Sequence, residues 1–468
     1  GKGIREDKRE AVKWYRLAAG QGNAEAQRRL GYCYFWGEGI REDKREAVKW
    51  YRLAADQGNA EAQRRLGYCY FWGEGIREDK REAVKWYRLA ADQGNAEAQW
   101  RLGYCYYVGK GIREDKREAV KWYRLAADQG NAEAQWRLGY FYFWGKGIRE
   151  DKREAVKWYR LAAGQGNAEA QRRLGYCYYV GKGIREDKRE AVKWYRLAAG
   201  QGNAEAQWRL GDFYFWGEGI REDKQEAVKW YRLAADQGNA EAQRRLGYCY
   251  FWGEGIREDK QEAVKWYRLA ADQGNAEAQR RLGYFYFWGE GIREDKQEAV
   301  KWYRLAADQG NAEAQRRLGY CYFWGEGIRE DKQEAVKWYR LAADQGNAEA
   351  QRRLGYFYFW GEGIREDKQE AVKWYRLAAD QGNAEAQWRL GDCYFFGHGV
   401  GKNKREAVNW YFLSAEKGNA EAQRRLGACF YFGHGVAKNR QEAIRWYRLA
   451  AEQGNSVAIS MLKKLGVM

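Results

Sequence analysis

A pattern that returns every 36 residues constrains this chain more than any other feature. The 468 residues divide into thirteen such units, from Gly1 to Met468. A unit this short cannot bury a core by itself, so neighbouring units must stack to make one. The period overrides the prior of about three globular domains that the length alone would suggest. Residues 1–396 are near-identical copies, the first lacking its leading helix. Residues 397–468 diverge and read as a C-terminal cap.

The segment from Gly37 to Trp72 shows what one unit holds. Two glycines mark Gly37–Glu42 as a loop. Asp43 is a good N-cap, and Glu46 three residues on completes a capping-box pattern. In the helix that follows, Ala47, Trp50, Tyr51 and Ala54 recur at i, i+3, i+4 and i+7, which is one apolar face. Gly58 is placed as a left-handed helix terminus, and Asn59 caps the next helix, which runs to Trp72 before Gly73. We call the helix after Asn the first helix and the helix after Asp the second. Gly67 sits inside the first helix, where it costs about 1 kcal/mol relative to Ala. Its recurrence in twelve units predicts close approach of a neighbouring helix. The Trp at position 14 of every unit, from Trp14 to Trp446, shares the apolar stripe and is expected in the core. The fold class expected is all-α: 26 short helices in an α-solenoid of thirteen helix–turn–helix repeats, without sheet.

The motifs Asn59-Ala60-Glu61-Ala62-Gln63, Leu66-Gly67-x-x-Tyr70, Gly73-x-Gly75-Ile76, Glu82-Ala83-x-x-Trp86-Tyr87 and Ala90-Ala91-x-Gln93-Gly94 carry a family resemblance. The chain resembles the Sel-1-like repeat (SLR) family, a relative of the tetratricopeptide repeat. The period of 36 fits that family better than periods of 34 or 33 do. The last unit departs, with Lys463 in place of the helix glycine and Leu465-Gly466-Val467-Met468 in place of the aromatic end. The resemblance implies a right-handed superhelix that binds peptides or proteins, with first helices lining its concave side. Bacterial adaptors are among such proteins.

Composition narrows the chemistry. The net charge is +18, from 84 basic and 66 acidic side chains, and the two signs are interleaved as in Arg41-Glu42-Asp43-Lys44-Arg45-Glu46. That predicts a solvated surface of local ion pairs, not the single-sign face of a nucleic-acid binder. Only three serines and two histidines are present, with no G-x-S-x-G, so an enzyme built on Ser and His is not expected. No apolar run approaches the ~20 residues of a membrane span. Each of the eight cysteines occupies position 33, which Phe fills in other units, as at Phe141, Phe213, Phe285 and Phe357. That interchange predicts free thiols used as apolar packing, and unpaired thiols favour the cytoplasm. The chain opens at Gly1 inside a repeat, so residues upstream are expected, and a secreted or periplasmic location stays open. His398 and His434 share one loop position with Glu and Lys, too few ligands for a metal site. No cofactor is expected.

Internal variation is concentrated at positions 2, 9, 20, 28, 32, 33, 35 and 36. Positions 28, 32 and 35/36 are spaced i, i+4, i+7/8 and share one stripe of the first helix. By the resemblance this stripe faces the groove. It holds Arg28 and Tyr32, Arg64 and Tyr68, Trp100 and Tyr104, Trp136 and Tyr140, Arg172 and Tyr176, and Trp208 and Asp212. It continues with Arg244 and Tyr248, Arg280 and Tyr284, Arg316 and Tyr320, Arg352 and Tyr356, and Trp388 and Asp392. Arg, Tyr and Trp are enriched in binding hot spots, so these residues are the candidate partner-binding set. They are expected to be exposed and to take an acidic or aromatic-containing polypeptide. The competing readings are a nucleic-acid-binding solenoid, using Arg on phosphate and aromatics on bases, and a structural or designed array without ligand. The Glu at position 25 would repel phosphate.

Overall fold

The computed structural model describes residues 7–467; the opening loop before Asp7 and the terminal Met468 lie outside the described residues. Among them are 26 α-helices and no strand. Twenty-five helices span thirteen residues each, and the last, Ser456–Lys464, spans nine. The chain forms two compact units, residues 1–237 and residues 238–468. The first unit holds the lone second helix Lys8–Gly20 and six first–second pairs. The other holds six pairs and the closing helix Ser456–Lys464. Within each, a helix packs chiefly on its sequence neighbours, most closely within a first–second pair such as Ala60–Trp72 with Lys80–Asp92.

The caps read from the sequence form, with one correction. Asn59 Oδ1 accepts from the Ala62 N–H at 2.9 Å, and Asp43 Oδ1 accepts from the Glu46 N–H at 3.0 Å. The reciprocal half of the capping box is absent. The Asp43 N–H donates to the Tyr34 carbonyl of the preceding first helix at 2.9 Å, so Glu46 is released to pair with Lys49 at 2.7 Å. A tertiary contact has taken the donor that a local carboxylate would have satisfied.

The core is built from small residues against one large ring. Ala83, Ala90 and Ala62 are fully buried, and Tyr87 is 1% exposed. Gly67 explains itself here. A Cβ on it would stand 2.7 Å from Tyr87 Cδ1 and 3.2 Å from the Ala83 carbonyl, closer than packed atoms approach. Gly75 is needed for two reasons: its φ is +71°, and a Cβ would lie 2.1 Å from the Lys44 carbonyl of the preceding unit. Of the position-14 tryptophans, Trp50 and Trp86 are half-buried and pack on the core, Trp302 and Trp446 are buried, and Trp14 is 64% exposed.

A glutamine ladder ties successive units together. Gln63 is buried and donates to the Ala55 carbonyl of the preceding second helix at 3.1 Å, and it accepts from Gln93 at 2.7 Å. The same pair recurs as Gln99 with Gln129 and Gln351 with Gln381. Since a buried amide left unpaired is costly, this ladder fixes how one unit seats on the next. It is interrupted where Lys417 stands in place of Gln. The buried Gln387 Oε1 then has no protein partner, and Lys417 Nζ reaches the Gly382 carbonyl instead at 2.6 Å.

The cysteines bear out their sequence reading. Cys33, Cys69, Cys105, Cys177, Cys321, Cys393 and Cys429 are free and buried, and Cys249 is buried at the same place. Burial pushes Cys69, Cys105, Cys177, Cys321, Cys393 and Cys429 up to about 12.

Candidate functional site

The stripe residues do gather on one face of the first helices, but their exposure differs from expectation. The position-28 arginines are largely covered, from 9% side-chain exposure at Arg64 to 17% at Arg244, and Arg28, Arg172, Arg280, Arg316 and Arg352 fall between. Each is held by the Glu three residues earlier on its own helix. Arg316 Nε donates to Glu313 Oε2 at 2.8 Å and its Nη2 to Oε1 at 2.6 Å. Trp136, Trp208 and Trp388 are buried, and Trp100 is half-buried.

At two units the Trp at this position takes over the hydrogen bond of the Arg. Trp208 donates its indole N–H to Glu205 at 2.7 Å, and Trp388 does the same to Glu385 at 2.6 Å. At these two units the Trp serves the carboxylate that Arg serves elsewhere, whereas the buried indole N–H of Trp100 has no protein partner. That Glu also takes the Arg at position 29, as Glu61 takes Arg65 at 3.0 Å, and the N-cap Asn of the next unit, as Glu97 takes Asn131 at 3.3 Å. The hydrogen bond from Arg28, reinforced by Arg29, lowers Glu25 to about 2. The repulsion of phosphate expected from this Glu is accordingly neutralised by its arginines.

Tyr32, Tyr68, Tyr104, Tyr140, Tyr176, Tyr248, Tyr284, Tyr320 and Tyr356 are all half-buried, as are Asp212 and Asp392. The aspartates serve the core. Tyr231 Oη donates to Asp212 at 2.6 Å and Tyr411 Oη to Asp392 at 2.5 Å. Where position 32 is Tyr, the corresponding buried hydroxyls of Tyr51, Tyr87, Tyr123, Tyr159 and Tyr303 have no protein partner. Burial raises the Asp392 carboxyl, against the pull of Tyr411 and of Arg425, whose Nη2 lies 2.8 Å away.

Two further positions complete the face. In several units the Arg at position 29 lies over an aromatic ring. Arg65 stands 5.7 Å from the Tyr32 ring of the preceding unit and Arg101 5.5 Å from Tyr68, while Arg137, Arg209 and Arg389 cover their neighbours Trp136, Trp208 and Trp388 at 4.2, 3.9 and 4.0 Å. Constant through the first twelve units, these arginines escape a search for variation. The second position is 36. Trp36, Trp72, Trp144, Trp216, Trp252, Trp288, Trp324 and Trp360 are 52–57% exposed. Their i+4 and i+8 spacing from positions 32 and 28 placed them on the stripe, yet the side chains emphasised by sequence were the more buried ones.

Clefts open between successive first helices on this face. Trp324, Arg352, Arg353, Tyr356 and Arg389 line one of about 800 Å³. Trp72, Trp100, Arg101, Tyr104 and Arg137 line another of about 250 Å³, and Trp360, Trp388, Asp392, Phe396 and His398 a third of about 290 Å³. His398 stacks on Phe396 and His434 on Phe432, each with centroids 5.7 Å apart. Among the described residues no three His, Cys, Asp or Glu side chains are grouped to hold a metal ion, and no helix is long and apolar enough to cross a membrane.

The model of the Sel1 repeat matches residues 1–23 in part and then twelve consecutive stretches of 36 residues, from 24–59 to 420–455. The chain belongs to the Sel1 repeat family. A solved Sel1-like relative, a protective antigen of uropathogenic Escherichia coli, is 36% identical over 97% of both chains, with a TM-score of 0.79. A Sel1 repeat protein from Oxalobacter formigenes is 34% identical over 66% of this chain and 90% of its own, with a TM-score of 0.53. Comparison with curated proteins finds no match. Sel1 repeats mediate protein–protein interactions, and the family is generally non-enzymatic.

Proposed function

We propose that this Sel1 array is a polypeptide-binding scaffold whose partner lies along the first-helix face. The observation that carries the reading is the row of half-exposed tryptophans at position 36, repeated from unit to unit beside open clefts. A soluble surface seldom presents large aromatics in a regular row unless something covers them. The contacting side chains on this reading are the position-36 tryptophans, the position-32 tyrosines and the position-29 arginines. The position-28 Arg and Trp residues, with Asp212 and Asp392, hold that surface in shape and form the cleft walls. Arg can pair a carboxylate of the partner, and Trp and Tyr can pack its apolar or aromatic side chains. Similar pockets in successive units make binding multivalent, so modest steps accumulate.

Selection of binders from a random peptide display library tests this directly. Replacing Trp288, Trp324 and Trp360 by Ala should leave the helical signal unchanged and weaken a selected peptide by at least about 2 kcal/mol, the size of one hot spot. Unaltered affinity in the triple variant rejects the reading.

A further inference from the structure

The loops between units carry a second pattern. In most units position 2 is Glu, and it closes an ion pair back to the Lys at position 8 of the unit before. Lys44 reaches Glu74 at 2.7 Å, Lys260 reaches Glu290 at 2.9 Å and Lys332 reaches Glu362 at 3.0 Å. In three consecutive units the Glu is replaced by Lys110, Lys146 and Lys182. The partner lysines lose their cross-unit carboxylate and turn back to the Glu two residues earlier: Lys80 to Glu78, Lys116 to Glu114 and Lys152 to Glu150, at 2.7, 3.1 and 2.7 Å. The backbones still meet, since Gly111, Gly147 and Gly183 lie against the carbonyls of Lys80, Lys116 and Lys152. Each of these junctions thus holds two lysines and one paired carboxylate, an excess of one cation, whereas Lys44 lies between Glu42 and Glu74.

A second substitution accompanies the first. Val108 and Val180 take the place of the exposed Trp just before Lys110 and Lys182, and both of these lysines are exposed. Lys146 donates to the hydroxyl of Tyr140 at 2.7 Å, which places its charge at the mouth of the first-helix face. One cation per junction is left without a carboxylate, and like charges held close cost stability, so the pattern points outward, to one anion per junction.

We propose that the lysine pairs Lys80/Lys110, Lys116/Lys146 and Lys152/Lys182 form a cationic row that holds an acidic stretch of the bound polypeptide, one carboxylate per unit. This rests on the polypeptide-binding reading above and places the acidic part of the partner on one segment of the array. Units stacked at helix-packing distance, about 10 Å, match an extended chain rising about 3.3 Å per residue, so the acidic residues recur at every third position. A polypeptide is favoured over a nucleic acid because the basic row is short and the flanking units return to paired Lys and Glu.

The test uses a labelled synthetic peptide with Glu at every third position and aromatic residues between, its Gln counterpart, and a single-stranded oligonucleotide. The variant combines Lys110→Glu, Lys146→Glu and Lys182→Glu, which restores the junction seen at Lys44 and Glu74 and so preserves the fold. The wild-type chain should bind the Glu peptide, with an affinity that falls as salt rises, and the variant should bind it at least about tenfold more weakly. Equal binding by the variant, or equal binding of the Gln peptide, overturns the lysine row. A chain carrying Trp72→Ala and Trp144→Ala separates the two readings. If it loses the peptide while the lysine variant keeps it, the aromatic face stands and the row falls; the opposite result rejects the face and keeps the row. Tighter binding of the oligonucleotide than of the peptide overturns the assignment to a polypeptide, and binding of neither probe overturns the row.

Discussion

Trp388 donates its indole N–H to Glu385 at 2.6 Å, the same service that Arg352 performs for Glu349 through its Nε at 2.8 Å. At Trp208 and Trp388 a change between residues of very different charge therefore conserves one hydrogen bond, which Trp100 does not make. It also alters the charge of the face, because a unit with Trp keeps a single Arg beside that Glu.

This bond changes what truncation should do. Arg244→Ala, Arg280→Ala, Arg316→Ala and Arg352→Ala each remove the first partner of a Glu that also anchors the neighbouring Arg. Each should destabilise its unit by about 1 kcal/mol after allowance for solvent screening, more than the ~0.5 kcal/mol of a bare surface change. Arg316→Trp should lose less, since the indole can serve Glu313. Thermal melts of the single variants decide the matter, and a silent Arg316→Ala contradicts it.

Gly67→Ala should cost about 1–3 kcal/mol by overpacking, because the new Cβ meets Tyr87 at 2.7 Å. Gly164→Ala is the control. It is helical and exposed with nothing within 4 Å, and should be neutral or stabilising by about 0.5 kcal/mol. Hydrogen exchange across each mutated pair measures the two effects in the same chain length.

Much of this architecture was legible in the sequence because the repeat writes each cap and packing residue many times. Asn59, Gly58, Gly67 and the cysteines at position 33 behave as their pattern said. The candidate site was read less well, for a physical reason. Spacing assigns a residue to a helical face but not its depth, and at position 28 the next unit supplies depth, as where Trp136 packs with Ala155 and Trp388 with Ala407. The constant Arg65 and Arg101 escaped notice because variation was the guide, whereas their cation–π contacts depend on a ring in a different unit.

Lys417→Gln should repair the ladder by giving the buried Gln387 Oε1 a donor, as Gln93 gives Gln63. A gain of about 1 kcal/mol is expected, seen as slower amide exchange in residues 384–432. Unchanged exchange would mean that the ladder contributes little to stacking.

The thiols predict an alkaline limit. Burial raises the folded values of Cys69, Cys105, Cys177, Cys321, Cys393 and Cys429 to about 12, while unfolded thiols titrate near 8.5. Between those values the folded chain holds more protons, so stability is fully present below about pH 8.5 and declines as pH rises towards 12. Melting temperature followed across that window should fall, and a thiol reagent at neutral pH should label the folded chain slowly. Rapid stoichiometric labelling without unfolding contradicts the burial.

The claim that the first-helix face carries the partner is tested most directly by hydroxyl-radical footprinting of the array saturated with a library-selected peptide. Protection should fall on Trp72, Tyr104, Trp144, Trp324 and Tyr356, and should spare Leu89, Leu125 and Leu341 on the second helices, which are about half exposed. Protection of those leucines with the tryptophans left open would contradict the account.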